Sequence, residues 1–273
     1  MNIESLSKTS LSLTSAAIFA YFDKVFPVKM LRSSPAFLAL YLFFQAYGKE
    51  SPLCTLTRNF NTEQVYVDDE NVHDGDLPFL GSLGYYGTYP DWIHVCVVAV
   101  LSKKILISAA HCFKGSSDLD LKVTLGQVEL NADYVVREKQ IVNVDKVEMH
   151  PKYDNTSAYF DLCLIHTQEE IQFNDGIRPI CLSDRPLNSV DGVKSRSVML
   201  AGWGQHEGQE AHLKKMEMTI FGHDYCYQKY DVHGESDDGR LRETFLPNHV
   251  TSQTMCAGHV HKNEGSCKGD SGM

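Results

Sequence analysis

The chain has 273 residues, room for one large all-β domain with targeting segments or for two smaller domains. Hydrophobic residues make up 43% and no low-complexity tract interrupts them, which excludes a disordered chain. A net charge of −10 excludes a nucleic-acid binder, because phosphates call for a basic face.

The first readable element begins at Met30. Arg32 is followed by an uninterrupted apolar run, Ala36–Phe44, and then by Gln45-Ala46-Tyr47-Gly48 with small residues at alternate positions. A charged start, an apolar centre and a small-residue site make residues 30–48 a signal peptide, with cleavage expected after Gly48. The run is too short to cross a bilayer, so no membrane span is expected. Residues 1–29 then stand as an upstream extension, with Met30 the expected start. Eight cysteines (54, 96, 112, 163, 181, 226, 256 and 267) are scattered with no C-x-x-C pair. That pattern favours structural disulfides in an oxidising compartment over a zinc or thioredoxin-like site.

Past residue 66 the chain reads as strands and turns. Val95–Leu101 and Ile105–Ser108 are apolar runs around Ser102-Lys103-Lys104, which predicts a hairpin of buried strands. Leu121–Leu125 and Met216–Ile220 alternate apolar and polar residues, and Ser197–Leu200 is a further strand. Tyr230–Arg242 is a polar loop. Many short strands at this spacing predict a sandwich or a pair of barrels. Periodicity alone stops there.

Three stretches carry chemistry: Leu106-Ile-Ser-Ala-Ala-His111-Cys112, Tyr159-Phe160-Asp161-Leu-Cys-Leu-Ile165, and Gly265-Ser-Cys267-Lys-Gly269-Asp270-Ser271-Gly272. Each alone has an ordinary structural reading, as a strand-end histidine, a turn aspartate or a glycine turn. Together, in this order, they resemble the chymotrypsin/trypsin-like serine proteases. The order His, Asp, Ser also excludes the α/β-hydrolases, in which Ser comes first.

The resemblance covers about residues 66 to 273, with Gly202-Trp203-Gly204 and Leu77-Pro78 as weaker landmarks. It implies an all-β fold of two antiparallel Greek-key barrels, the second truncated at its C-terminal end. It also implies peptide-bond hydrolysis without a cofactor or metal. Ser271 would be the nucleophile, His111 its general base and later acid, and Asp161 the group that orients the imidazole. The amides of Gly269 and Ser271 would form the oxyanion hole. Gly265 would sit at the base of the specificity pocket, where an acidic residue would select Lys or Arg; glycine favours an apolar or small side chain, but Glu264 is adjacent and some relatives place the acid on other walls of the pocket, so the preference stays open. Partners would be protein or peptide substrates and protease inhibitors.

By the same resemblance Cys96–Cys112, Cys226–Cys256 and Cys54–Cys181 are disulfides. Cys163, inside the aspartate strand, reads most simply as a buried free thiol acting as a small hydrophobe. Cys267 would pair beyond residue 273, and Val198 stands where many relatives carry another cysteine. Asn155-Thr156-Ser157 is an N-glycosylation sequon. His259, His261 and Glu264 lack further ligands and read as a polar loop.

Two departures matter. Residues 49–65 are propeptide-like, but Gln64-Val65-Tyr66-Val67-Asp68-Asp69 replaces the usual basic-residue cut before Ile-Val-Gly-Gly. Asp270 is therefore expected to be a buried carboxylate without its usual partner. The domain at 66–273 is also incomplete by the family pattern, so the 273-residue product is expected to show little or no turnover. A catalytically silent homologue that binds or regulates is the alternative to a secreted endopeptidase.

Overall fold

A computed structural model describes residues 72–87, 91–116, 119–131, 139–157, 159–182, 196–204, 211–222, 225, 256–258 and 270–272. Nearly all the regular structure among them is strand. In chain order the strands are β1 (Leu80–Tyr86), β2 (Trp92–Val100), β3 (Ile105–Ser108), β4 (Lys122–Leu125), β5 (Glu129–Leu130), β6 (Gln140–Met149), β7 (Cys163–Thr167), β8 (Arg196–Gly202), β9 (Ala211–His212), β10 (Lys214–Phe221) and β11 (Cys256–Gly258). A short 3-10 helix, Ala110–Phe113, follows β3.

Six strands close into an antiparallel barrel in the order β1-β2-β3-β7-β6-β4. The first three form a meander, and β4 returns to lie beside β1 rather than β3. That spatial order is a Greek key, and closure removes the free strand edges that an open sheet exposes. The predicted hairpin is present: Ala99 pairs with Ile107 and Val100 with Leu106 across the Ser102–Lys104 turn. Ser102 holds the turn, its hydroxyl accepting the Lys104 and Ile105 amides.

Each barrel strand sends at least one apolar side chain inward. Leu83, Val98, Leu106, Val123, Val142 and Ile165 come from six different strands and share one buried core. Burying each such side chain stabilises the fold by about 1.5–3 kcal/mol. β6 keeps its apolar face through a register shift between Val144 and Lys146. Val142 and Val144 face the core before the bulge, Val147 after it.

The later part of the chain contributes a three-stranded antiparallel sheet, β11-β10-β8. It is joined to the barrel side by pairing of β5 with β9 and by a second apolar cluster. That cluster takes Trp92 and Val97 from β2 and Trp203, Ala211 and Leu213 from the later segment. The Trp203 indole N–H donates to the Val128 carbonyl at 2.8 Å, so this large side chain buries without an unpaired donor. Val198 pairs with Met218 between β8 and β10.

Cys96 and Cys112 are bonded to each other. The bridge closes a loop over a sequence separation of 16, which constrains the unfolded chain by about 3 kcal/mol. Cys181 and Cys256 are also disulfide-bonded, to partners outside the described residues. Cys163 is a buried free thiol near the carbonyls of Ser108 and Ala109. Burial, and then the charge of Asp161, hold it protonated, well above the ordinary thiol range.

Candidate active site

The barrel topology decides where the chemistry gathers. β3 and β7 are antiparallel neighbours, with the end of β3, Ser108, paired with the start of β7, Cys163. Residues just after β3 and just before β7 therefore leave the barrel at the same end. His111 and Asp161 are those residues.

After Ser108 the small, buried Ala109 and Ala110 let the chain turn at once into the 3-10 helix that carries His111. The helix is pinned below by the Cys96–Cys112 bridge, next door to His111. The His111 imidazole stays 44% exposed, while the Asp161 carboxylate is only 18% exposed. Asp161 holds His111 at two points. One oxygen, Oδ1, accepts the His111 backbone N–H at 2.8 Å, and the other, Oδ2, lies 2.5 Å from Nδ1. The first contact fixes the main chain and the second the ring. An ionised carboxylate against Nδ1 favours a proton on that nitrogen, which leaves proton transfer to Nε2.

Ser271 approaches from the distant end of the chain. Its carbonyl accepts the Val97 amide at 2.8 Å, so its main chain is seated on β2 beside Cys96. Gly272 follows at φ +97°. A Cβ there would lie 2.1 Å from the Val97 carbonyl oxygen and 2.3 Å from the Ser108 hydroxyl. Only glycine meets both conditions. Val97 thus holds Ser271, while the neighbouring Cys96 is bonded to the residue after His111.

Asp270 has a backbone partner that the sequence did not show. It is half-buried, and its Oδ1 accepts the Gly204 amide at 2.7 Å. The Gly202-Trp203-Gly204 turn thus gives Asp270 a neutral amide partner, while Gln64–Asp69, which replaces the usual cut, lies outside the described residues. Gly204 has φ +68°, a left-handed conformation that suits glycine. Ser108 is another residue that sequence reading passed over. Its buried hydroxyl donates to the Val97 carbonyl at 2.7 Å, against the surface that receives Gly272. The only sequence signal was its place in the Ser-Ala-Ala-His-Cys run.

A second set of side chains lies close to Asp161. β6 ends where Pro151 follows His150, and the Tyr153 amide donates to the His150 carbonyl at 2.9 Å, closing a turn. The Tyr153 hydroxyl is raised to about 12, by burial first and then by the charge of Asp161. His150 is buried, and burial followed by the charge of Lys152 lowers it to about 4. Its Nδ1 accepts the Lys152 amide at 3.1 Å, so it is neutral.

This has a consequence for acid stability. The unfolded chain binds a proton at this position as pH falls below about 6.5, whereas folded His150 resists until about 4. Stability is full above that window and falls through it on acidification, by on the order of 3 kcal/mol. Urea midpoints at pH 7 and pH 4.5 are expected to differ less in a His150→Gln variant than in the parent chain.

Asn155 lies in an exposed turn at φ +62°. Asp154 caps that turn by accepting the Thr156 and Ser157 amides. Cys96, His111 and Cys112 place ligand atoms within 4.8 Å of one another, but both sulfurs are spent on the disulfide, so the trio offers no metal site. No helix among the described residues is long and apolar enough to cross a membrane. Gly269, Gly265, Cys54, Cys226, Cys267, His259, His261, Glu264, the 30–48 segment, Gln64–Asp69 and Tyr230–Arg242 lie outside the described residues.

Comparison with known proteins agrees with this geometry. Residues 66–272 match the family model described as Trypsin. Serine protease snk of Drosophila melanogaster is 27% identical over 180 residues, a match covering 65% of this chain and 38% of that relative. The chain thus spans well under half the length of that curated relative. With a Greek-key barrel, a His–Asp pair at its rim and a family match over most of its length, the chain belongs to the trypsin-like serine protease family.

Proposed function

We propose that the chain is the catalytic part of a secreted serine endopeptidase that cleaves peptide bonds through an acyl-enzyme on Ser271. The observation that carries this reading is the two-point hold of Asp161 on His111, through Nδ1 at 2.5 Å and the backbone N–H at 2.8 Å. A hydroxyl at its free pKa is a weak nucleophile, so attack requires a base that removes the proton as the bond forms. His111 takes that proton through Nε2 and returns it to the leaving amine. Asp161 keeps the required tautomer and stabilises the imidazolium.

The amides of Gly269 and Ser271 receive the oxyanion, a contribution typically worth roughly 100- to 1000-fold in rate per donor. Gly265 at the pocket base favours an apolar or small side chain in the substrate. Asn155, on its exposed turn, carries an N-glycan. Secretion follows from the 30–48 signal and the disulfides.

A fluorophosphonate probe tests this on the 273-residue chain and on the chain within a complete, processed domain. Covalent labelling of Ser271 that disappears in His111→Ala supports the endopeptidase. A domain that folds, binds partners and never labels would instead be a silent homologue.

A further inference from the structure

Phe160, the residue before Asp161, adopts φ +57°. This left-handed conformation disfavours a bulky aromatic side chain and persists only where the surroundings hold it. The chain reverses directly afterwards. The Leu162 amide donates to the Phe160 carbonyl at 2.8 Å, closing a tight turn with Asp161 at its centre. The Leu162 carbonyl in turn accepts the His150 amide at 2.8 Å.

The ring is held as firmly as the backbone. It stacks on the His150 imidazole, centroids 5.0 Å apart and planes 18° from parallel. The Lys152 ammonium lies over it, 5.1 Å from the centroid. His150 itself is 2% exposed, so the surface beneath the ring is fixed by the core. Asn or Gly at position 160 would take the same backbone with less strain. What Phe adds is the clamp.

We propose that Phe160 is a positioning residue: its ring, stacked on His150 beneath Lys152, holds the strained turn that aims both Asp161 oxygens at His111. This rests on the orienting role given to Asp161 above. The ring touches no reacting atom; it acts through the carboxylate.

The test uses two variants of the 273-residue chain and a signal that needs no turnover. An Nδ1 proton hydrogen-bonded to a carboxylate, as His111 is placed to donate to Asp161, resonates far downfield; its loss in His111→Ala assigns it. Phe160→Tyr keeps the ring and is expected to keep this resonance. Phe160→Ala keeps the left-handed strain and removes the ring that clamps it. Its resonance is expected to move upfield and exchange at least about tenfold faster, and, in the chain within a complete, processed domain, fluorophosphonate labelling of Ser271 is expected to slow by about 10- to 100-fold, the scale of a small misplacement at a reacting site.

If Phe160→Ala loses its core methyl dispersion, His150→Ala removes the stacking partner while residue 160 stays native, and the same loss is expected. An unchanged resonance in whichever of these two variants is folded overturns the proposal. The two readings fail separately. A wild-type chain that never labels within a complete, processed domain, yet whose resonance depends on residue 160, defeats acyl transfer and leaves the clamp. Equal, measurable labelling of wild type and Phe160→Ala in that domain defeats the clamp and leaves acyl transfer.

Discussion

Asp161→Asn is expected to slow fluorophosphonate labelling of Ser271 in a complete domain by about 10⁴-fold, the size of acid-to-amide changes in such triads. The reason is set by the two-point contact. The His111 backbone N–H donates to Oδ1, and an amide in this place keeps its carbonyl oxygen there. Its NH₂ must then face Nδ1, where the carboxylate now accepts. A donor facing Nδ1 forces the imidazole proton onto Nε2, so the base arrives already protonated. Because amide and carboxylate have the same shape, the fold should be kept. Labelling rate and thermal midpoint measured together separate the cases: a slow variant with an unchanged midpoint is the expected result. Wild-type labelling by Asp161→Asn would remove Asp161 from the mechanism.

Gly272→Ala is expected to cost roughly 2–6 kcal/mol, combining overpacking with a strained left-handed backbone. The added methyl would meet the Val97 carbonyl oxygen at 2.1 Å and the Ser108 hydroxyl at 2.3 Å. Neither can retreat easily, since Val97 sits in β2 and the Ser108 hydroxyl is bonded to the Val97 carbonyl. The 270–272 segment should therefore leave its seat, taking Ser271 with it. Denaturant unfolding reads the stability, and the Val97 amide reads the seat: its exchange protection, which depends on the bond to the Ser271 carbonyl, is expected to fall in this variant. Full protection of Val97 in Gly272→Ala would show that the close approach is not what holds Ser271.

How much of this was legible in advance varied with the element. The β2–β3 hairpin announced itself because both strands are apolar on both faces and a polar turn separates them. β1 did not. Its Gly81 and Gly84 lower strand propensity, and the reason for them lies elsewhere in the chain. A Cβ at Gly81 would meet Leu125 of β4, and one at Gly84 would meet the Ile93 carbonyl of β2. β6 was obscured differently, since its bulge after Val144 shifts the apolar period by one residue. The partner of Asp270 was also hidden: Gly204 lies 66 residues away and no local pattern links them.

By itself the sequence determined the family and singled out the residues that the proposed chemistry uses. His111, Asp161 and Ser271 sit in short local runs whose order along the chain is that of the family, and the scattered cysteines favour structural disulfides. Only the tertiary structure decided how these residues are held. The pairing of Ser108 with Cys163 brings His111 to Asp161, Val97 seats Ser271, and His150 braces the strained Phe160. These are contacts between residues far apart in sequence. A local pattern reports propensity and composition, whereas hydrogen-bond register and steric fit exist only after the chain has closed on itself.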